Sequence, residues 1–278
     1  MRSRHFPGLH GRVALWSTLF FLVVLVSLWS VPQSPVYAAL DMGVTPSKFD
    51  LELGPGETST QLVRVSNAGT ERTHFRAYVM DWHLSQRGEF IAIPAGTGQR
   101  SASSWIVVSP AEFDLGPGEV QEVRVGIKVP QGVAGSYRSV VFFESAPAQV
   151  SRVFGVSIAS RLGVMIYVTI RGTAVKQGSI VDLAAEYEAG KGTIAGQIGF
   201  ENTGNVHLTL KPTVELRDGE GRRVARTELP SAVSLPDSYL EIPFTWETKL
   251  PAGEYIMLVV IDYGGNSKVA GQIVFESP

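Results

Sequence analysis

The stretch Phe154–Arg171 (FGVSIASRLGVMIYVTIR) constrains the fold more than any other. Every second residue from Phe154 reads Phe, Val, Ile, Ser, Leu, Val, Ile, Val, Ile, and eight of these nine are apolar. The intervening set, Gly155, Ser157, Ala159, Arg161, Gly163, Met165, Tyr167, Thr169 and Arg171, is mostly small or polar. That period of two belongs to a strand with one apolar face. At about 3.3 Å per residue the stretch would span roughly 60 Å, whereas strands usually run about five or six residues. Two outcomes are open. The strand breaks near Ser160–Gly163 and continues in another sheet. Or its apolar row projects past the core, leaving Val156, Ile158 and Leu162 as an exposed edge able to take a partner chain.

The chain opens with Arg2, Arg4 and Arg12 ahead of an apolar run, Val13–Val31, and a small-x-small signal at Val36-Tyr37-Ala38. This reads as a secretory signal peptide over residues 1–38, with an uncleaved anchor as the alternative. No Cys follows the run, so no lipoprotein anchor is expected, and no later stretch is apolar enough to span a bilayer. Loss of a leader with three arginines and no acidic residue takes the formal charge from −2 to −5, the wrong sign for nucleic acid. With no cysteine there is neither a disulfide framework nor thiolate chemistry. Stability must come from the core, and the remaining length suffices for two sandwich-sized domains.

Strands punctuated by Gly and Pro turns predict an all-β chain of two tandem immunoglobulin-like sandwiches, residues 39–172 and 173–278. In the first, Phe49–Glu57 (FDLELGPGE) leads to Gln61–Val65, and Phe113–Glu119 (FDLGPGE) leads to Gln121–Val125. Pro fixes φ and the next Gly accepts positive φ, so both are expected to make tight reversals. They would join Val44–Leu53 to Ser59–Ser66 and Trp105–Leu115 to Val120–Val129. Between them come a strand, Thr73–Trp82, and a polar loop, 85–104. Ser136–Glu144 follows, and a loop, 145–151, feeds the organising strand. In the second domain, strands are expected near Ile180–Glu188, Thr193–Glu201, Leu208–Arg217, Arg223–Thr227, Tyr239–Glu247, Gly253–Tyr263 and Lys268–Phe275.

Little in the chain points to chemistry. After the leader, His74, His83 and His207 show no metal-ligand spacing. Gly54-Pro-Gly56 and Gly116-Pro-Gly118 are turns rather than phosphate cradles, because Pro removes a needed donor. Ser139 and Ser160 lack an elbow motif, and Asp81 with Glu89 is the one candidate carboxylate pair. No enzyme, cofactor or metal is expected.

With the strands placed, the chain resembles the periplasmic pilus-assembly chaperones of the chaperone–usher pathway, the PapD type. The resemblance rests on Val44-Thr-Pro-Ser-Lys-Phe49, Leu62–Asn67 (LVRVSN), Ser109–Glu119 (SPAEFDLGPGE), Tyr137–Glu144 and Ile158–Arg171. Phe200–Leu208 (FENTGNVHL) and Ile261-Asp-Tyr-Gly-Gly265 extend it into the second domain. It implies a non-enzymatic periplasmic chaperone whose strand 154–171 is lent to pilin-like or surface-fibre subunits. Val156, Ile158, Ser160 and Leu162 match the lent positions. An outer-membrane usher is an implied partner, and a self-capping dimer a further possibility. The family anchors the subunit's terminal carboxylate with an Arg on the first strand and a Lys on the last. Lys48 falls at the first position and Tyr167 at the second, so the charge-assisted pair is halved. The alternative is a non-enzymatic tandem sandwich of the cell surface that binds wall polymer or another surface protein, with 154–171 simply core.

Overall fold

Proline decides where the first strands stop. The computed structural model describes residues 42–151 and 156–278, and the side chains of 148–158 lie outside the described set. The signal-peptide reading of residues 1–38 and the start of the organising strand at Phe154 therefore fall outside it. A prolyl residue has no N–H to give a ladder, so a run carrying one breaks there. The expected strand Val44–Leu53 is cut at Pro46 into β1 (Met42–Thr45) and β2 (Lys48–Leu53). Trp105–Leu115 is cut in the same way at Pro110. A 3-10 turn, Ser103–Trp105, precedes the pieces.

The chain then runs β3 (Thr58–Asn67), β4 (Thr73–Leu84), β5 (Phe90–Ile93), β6 (Ile106–Ser109), β7 (Glu112–Leu115) and β8 (Val120–Lys128). Next come β9 (Ser136–Ser145), β10 (Ala148–Ser151), β11 (Val156–Ile158) and β12 (Arg161–Ile170). One sheet has the order β1-β3-β8-β6. The facing sheet has the order β2-β12-β9-β4-β5, with β7 also on β4. Each proline therefore sits where the chain changes sheets: β1 joins β3 while β2 joins β12, and β6 joins β8 while β7 joins β4. The Gly-Pro-Gly turns do the same, so they are arches between sheets rather than the hairpin-like reversals expected. Their chemistry does repeat. Gly54 N–H donates to Glu57 Oε2 at 2.8 Å and Gly116 N–H to Glu119 Oε2 at 2.6 Å. Gly56 and Gly118 take φ of 79° and 73°.

Two segments expected as loops carry structure: β5 lies within 85–104, and β10 within 145–151. The organising stretch breaks at Ala159–Ser160. There Ser145 N–H donates to the Ser160 carbonyl at 2.9 Å, and Ser160 N–H donates to Ser145 Oγ at 2.9 Å. Before the break β11 pairs with β10 alone; after it β12 belongs to the large sheet. The break with a change of partner strand thus occurs, whereas the exposure expected of Val156 and Ile158 falls on side chains outside the described residues and Leu162 packs against the first core.

The second sandwich comprises β13 (Gly178–Glu188), β14 (Thr193–Asn202), β15 (Leu208–Asp218), β16 (Arg223–Glu228), β17 (Ala232–Ser234), β18 (Ser238–Glu247), β19 (Gly253–Asp262) and β20 (Val269–Ser277). Its sheets are β13-β14-β18 and β16-β15-β19-β20, with β17 on β15. Seven of these strands match the expected runs to within two residues, and β17 was not foreseen. Each sandwich has its own core. Val164, Ile166, Val168 and Ile170, the even row of β12, are fully buried with Phe75, Phe143 and Val125. Ile198, Phe200, Leu216 and Met257 anchor the other. Each such side chain contributes roughly 1.5–3 kcal/mol.

Both sandwiches end one strand on a buried Asn that ties the following turn. The Asn67 side chain donates to the carbonyls of Glu71 and Leu115 and accepts from Gly69 N–H. Asn202 repeats this with Val206, Ser234 and Gly204. A third, Asn205, bolts the linker down: its amide donates to the Thr173 carbonyl at 2.9 Å and its Oδ1 accepts Val175 N–H at 2.7 Å. The Asn205 carbonyl also accepts Ser136 N–H from the first sandwich at 2.9 Å. Asn205→Ala is expected to lower stability by about 1–2 kcal/mol. Solution scattering should then show a broader spread of angles between the sandwiches, and an unchanged profile would mean the linker is held elsewhere.

Candidate functional site

A strand at a sheet edge presents unpaired N–H and C=O groups, a template for another chain. β12 is half such a strand. On one side β9 pairs with it from Arg161 to Thr169. On the other, β2 runs parallel to it only from Met165 to Ile170. Among the described residues, Arg161–Val164 therefore have no strand on that side, and β11, paired only with β10, extends the same open edge. The edge ends at Met165, whose N–H donates to the Ser47 carbonyl at 3.0 Å. The early end of β2 follows from Pro46, which turns the chain into the other sheet.

The proposed lent residues fall along this edge. Leu162 is half-buried at the margin of the first core, opposite Phe143. Ser160 is half-buried and spends its backbone on Ser145. The backbones of Val156 and Ile158 lie in β11, while their side chains are outside the described residues. Arg161, on the opposite face, lays its guanidinium 4.6 Å from the Phe142 ring centroid.

Lys48 and Tyr167 come together beyond the end of the edge. Lys48 Nζ is 5.8 Å from the Tyr167 ring centroid and 3.6 Å from Asp50 Oδ2, with its side chain 56% exposed. Tyr167 is only 6% exposed, its ring edge-on to Trp82 at 5.7 Å and 4.3 Å from His207. Burial, opposed by the Arg138 charge and reinforced by Asp50, pushes its phenol up to about 12. It is therefore a neutral group at ordinary pH.

Sequence reasoning missed that the odd row of β12 is not a solvent face. Phe142, Trp82 and Tyr167 pack with Leu235 of the second sandwich. Tyr78, Phe142, Phe90, Trp82, Tyr167 and His207 form a continuous aromatic band, with successive ring centroids 4.3–6.4 Å apart. Period-two counting sees Tyr167 among Gly, Ser, Thr and Arg and has no means of knowing that a second sandwich covers that face. His207 could not have been placed from sequence. It precedes β15, yet its Nε2 lies 3.6 Å from Asp50 Oδ2 on β2.

His207 is the main cause holding the Asp50 carboxyl below its ordinary value of 3.8; partial burial opposes it and Lys48 assists. A carboxyl depressed by folding stabilises the fold above its unfolded pKa, and that contribution is lost as pH falls through the folded value. Asp50→Asn is therefore expected to lower stability near neutrality and to flatten its fall below about pH 4, so that the two curves converge in acid. Denaturant melts from pH 2 to 7 test this, and parallel curves for the two proteins would refute it.

The candidate carboxylate pair is not one. Asp81 is 1% exposed and accepts from Ser101 Oγ at 2.7 Å, Gly98 N–H at 3.0 Å and Ser139 Oγ at 3.1 Å. Glu89 is exposed and bonds Ser85. His74 pairs with Asp114 on the surface. Among the described residues no cluster has the composition of a metal site, and no helix is long and apolar enough to cross a membrane.

No protein-family model matches the chain, and no curated protein sequence matches it. Solved structures do. A chain of a chaperone–tip adhesin complex of CFA/I fimbriae biogenesis is 16% identical, with TM-score 0.47 over 84% of this chain and 97% of its own. The class 5 fimbriae chaperone CfaA is 16% identical, with TM-score 0.45 over 85% and 99%. The CsuC–CsuE chaperone–tip subunit pre-assembly complex of archaic Csu pili from Acinetobacter baumannii is 13% identical, with TM-score 0.44 over 84% and 97%. Each of these three likenesses runs along nearly the whole length of the other chain.

Proposed function

We propose that this protein is an exported, non-enzymatic chaperone that holds pilus or surface-fibre subunits by accepting their incomplete sandwich along the 156–164 edge. One observation carries the reading: among the described residues Arg161–Val164 have no strand on the side away from β9, and this edge runs into a row whose later members are core. A subunit lacking a strand has unpaired backbone groups and an apolar groove. Adding this edge satisfies the first, and the Val156, Ile158, Ser160 and Leu162 side chains fill the second. Ser160 fills little, so the grip rests on its neighbours. Lys48, at the end of the edge, supplies one positive charge for a terminal carboxylate, and Tyr167 beside it is neutral and supplies none. Asp50, 3.6 Å from Lys48 Nζ, draws on that charge, so the anchor is weaker than an Arg–Lys pair. An outer-membrane usher would receive the loaded chaperone, and without a subunit two copies could cap one another's edges. The working compartment is the periplasm, or the cell surface where there is no outer membrane.

The half-burial of Leu162 against its own core favours a second reading, a surface module that binds wall polymer or another surface protein. Amide exchange separates the two. With a co-purified subunit bound, the amides of 156–164 should gain protection while those of 165–170 stay protected throughout. Equal protection of 156–164 with and without the subunit would remove the strand-lending role.

A further inference from the structure

β19 is apolar on both faces. Tyr255–Ile261 (YIMLVVI) is an unbroken apolar run, the pattern of a strand covered on two sides rather than one. One row, Tyr255, Met257, Val259 and Ile261, lies in the second core. The other row, Ile256, Leu258 and Val260, points out of the sandwich, is only half-buried and joins none of the cores. Beside it on β20, Val274 opposite Ile256 is 52% exposed, and Ala270 opposite Val260 is exposed as well. A lone copy leaves this stripe open to water in the middle of its sheet.

The two ends of the stripe differ in sign. At one end Glu254 and Glu276 stand directly opposite each other, both exposed and, among the described residues, in no ion pair. Like charges facing across a ladder repel. At the other end Lys211 lies opposite Asp262, and Lys268 Nζ is 3.3 Å from the same carboxylate, so two cations share one anion. The charges between these ends, Glu215 and Arg217, neutralise each other at 2.8 Å.

We infer that this face docks a second copy of the chain, the two copies stacked sheet on sheet about a two-fold axis at Leu258. A half-turn there lays the glutamate end of each copy over the lysine end of the other, so both end contacts attract and the apolar rows meet between them. Stacking in the same direction would set glutamates on glutamates. The charge pattern therefore selects both the partner and its orientation. The strands β16-β15-β19-β20, about 4.8 Å apart and roughly 27 Å long from Glu254 to Asp262, offer roughly 500 Å² per copy, near the lower limit of about 1,000 Å² in total for a specific contact. The pair is therefore weak and depends on concentration. It uses the second sandwich alone, whereas edge capping would use β11 and β12 of the first, and it does not rest on strand lending.

Sedimentation equilibrium of the exported protein should show the mass rising from one chain towards two as concentration climbs from roughly micromolar to near-millimolar. Leu258→Lys, which sets two charges face to face at the axis, should remain a single chain. Two charge-reversed variants read the orientation: Glu254→Lys with Glu276→Lys, and Lys211→Glu with Lys268→Glu. Each alone should pair more weakly by about tenfold or more, because like ends then meet. Their equimolar mixture should pair at least as well as the parent, which also shows that both variants fold. Leu162→Asp, which disables edge capping, should pair as the parent does. A single-chain mass for the parent at every concentration would overturn the inference. So would a mixture of the reversed variants that stays monomeric, a pair that survives each reversal alone, or a pair lost in Leu162→Asp.

Discussion

Replacing Leu162 with aspartate is expected to reduce affinity for a subunit by at least a hundredfold while leaving the sandwich folded. Leu162 is the one proposed lent side chain that is both described and large, and it sits at the core margin rather than inside it. Its loss from a partner's groove removes roughly 1.5–3 kcal/mol of burial. The aspartate adds the cost of an ionised carboxylate in an apolar groove, several kcal/mol after relaxation. Together these exceed the 2.8 kcal/mol that corresponds to about a hundredfold in affinity. The fold loses less, because a half-buried side chain at an edge can turn to water; about 1 kcal/mol is typical. Titration of a purified subunit measures the first effect and a thermal melt the second. Leu162→Ala should fall between, near tenfold. A variant that melts normally and binds as tightly as the parent would sink the lent-edge mechanism.

Asp81→Ala is expected to cost about 3 kcal/mol of stability, the largest single loss outside the hydrophobic cores. The carboxylate is buried, and two hydroxyls and one backbone N–H converge on it. Alanine leaves those donors unpartnered, at about 1–3 kcal/mol for each one that water cannot reach. It also removes a compensating charge near Arg138, a 7% exposed guanidinium whose pKa burial lowers and Asp81 helps to hold up. Asp81 ties the 98–103 segment to β9, so amides of 98–103 should exchange faster in the variant. Asp81→Asn keeps an acceptor oxygen and should recover about half of the loss. Denaturant unfolding of both variants decides the point, and a loss below 1 kcal/mol would mean that water replaces the carboxylate.

The second sandwich was legible in the sequence almost strand by strand. Its strands alternate cleanly and are bounded by turn residues such as Asn202-Thr-Gly-Asn205 and Asp218-Gly-Glu-Gly221, and both signals are local. The first sandwich was legible in content but less so in connection. The two Gly-Pro-Gly turns were visible as interruptions, whereas Pro46 and Pro110 fell inside single expected strands, Val44–Leu53 and Trp105–Leu115. Whether an interruption returns the chain along its own sheet or carries it to the facing one depends on which sheet has an unfilled edge, a property of strands far away in sequence.

The candidate site divides in the same way. Alternation over Phe154–Arg171 settled which residues of β12 face the first core, because period-two chemistry is written in nearest neighbours. It could not settle that β2 covers only the second half of that strand, leaving Arg161–Val164 open. Nor could it show that Tyr167, Trp82 and His207 meet under a second sandwich, since His207 lies forty residues along the chain from Tyr167. The sequence by itself determined most of the strands, the core-facing row of β12 and the absence of cysteine chemistry. Only the tertiary structure decided which backbone edge stays unpaired and what lies beside its end, because pairing and burial between distant segments are set by how complete sheets pack.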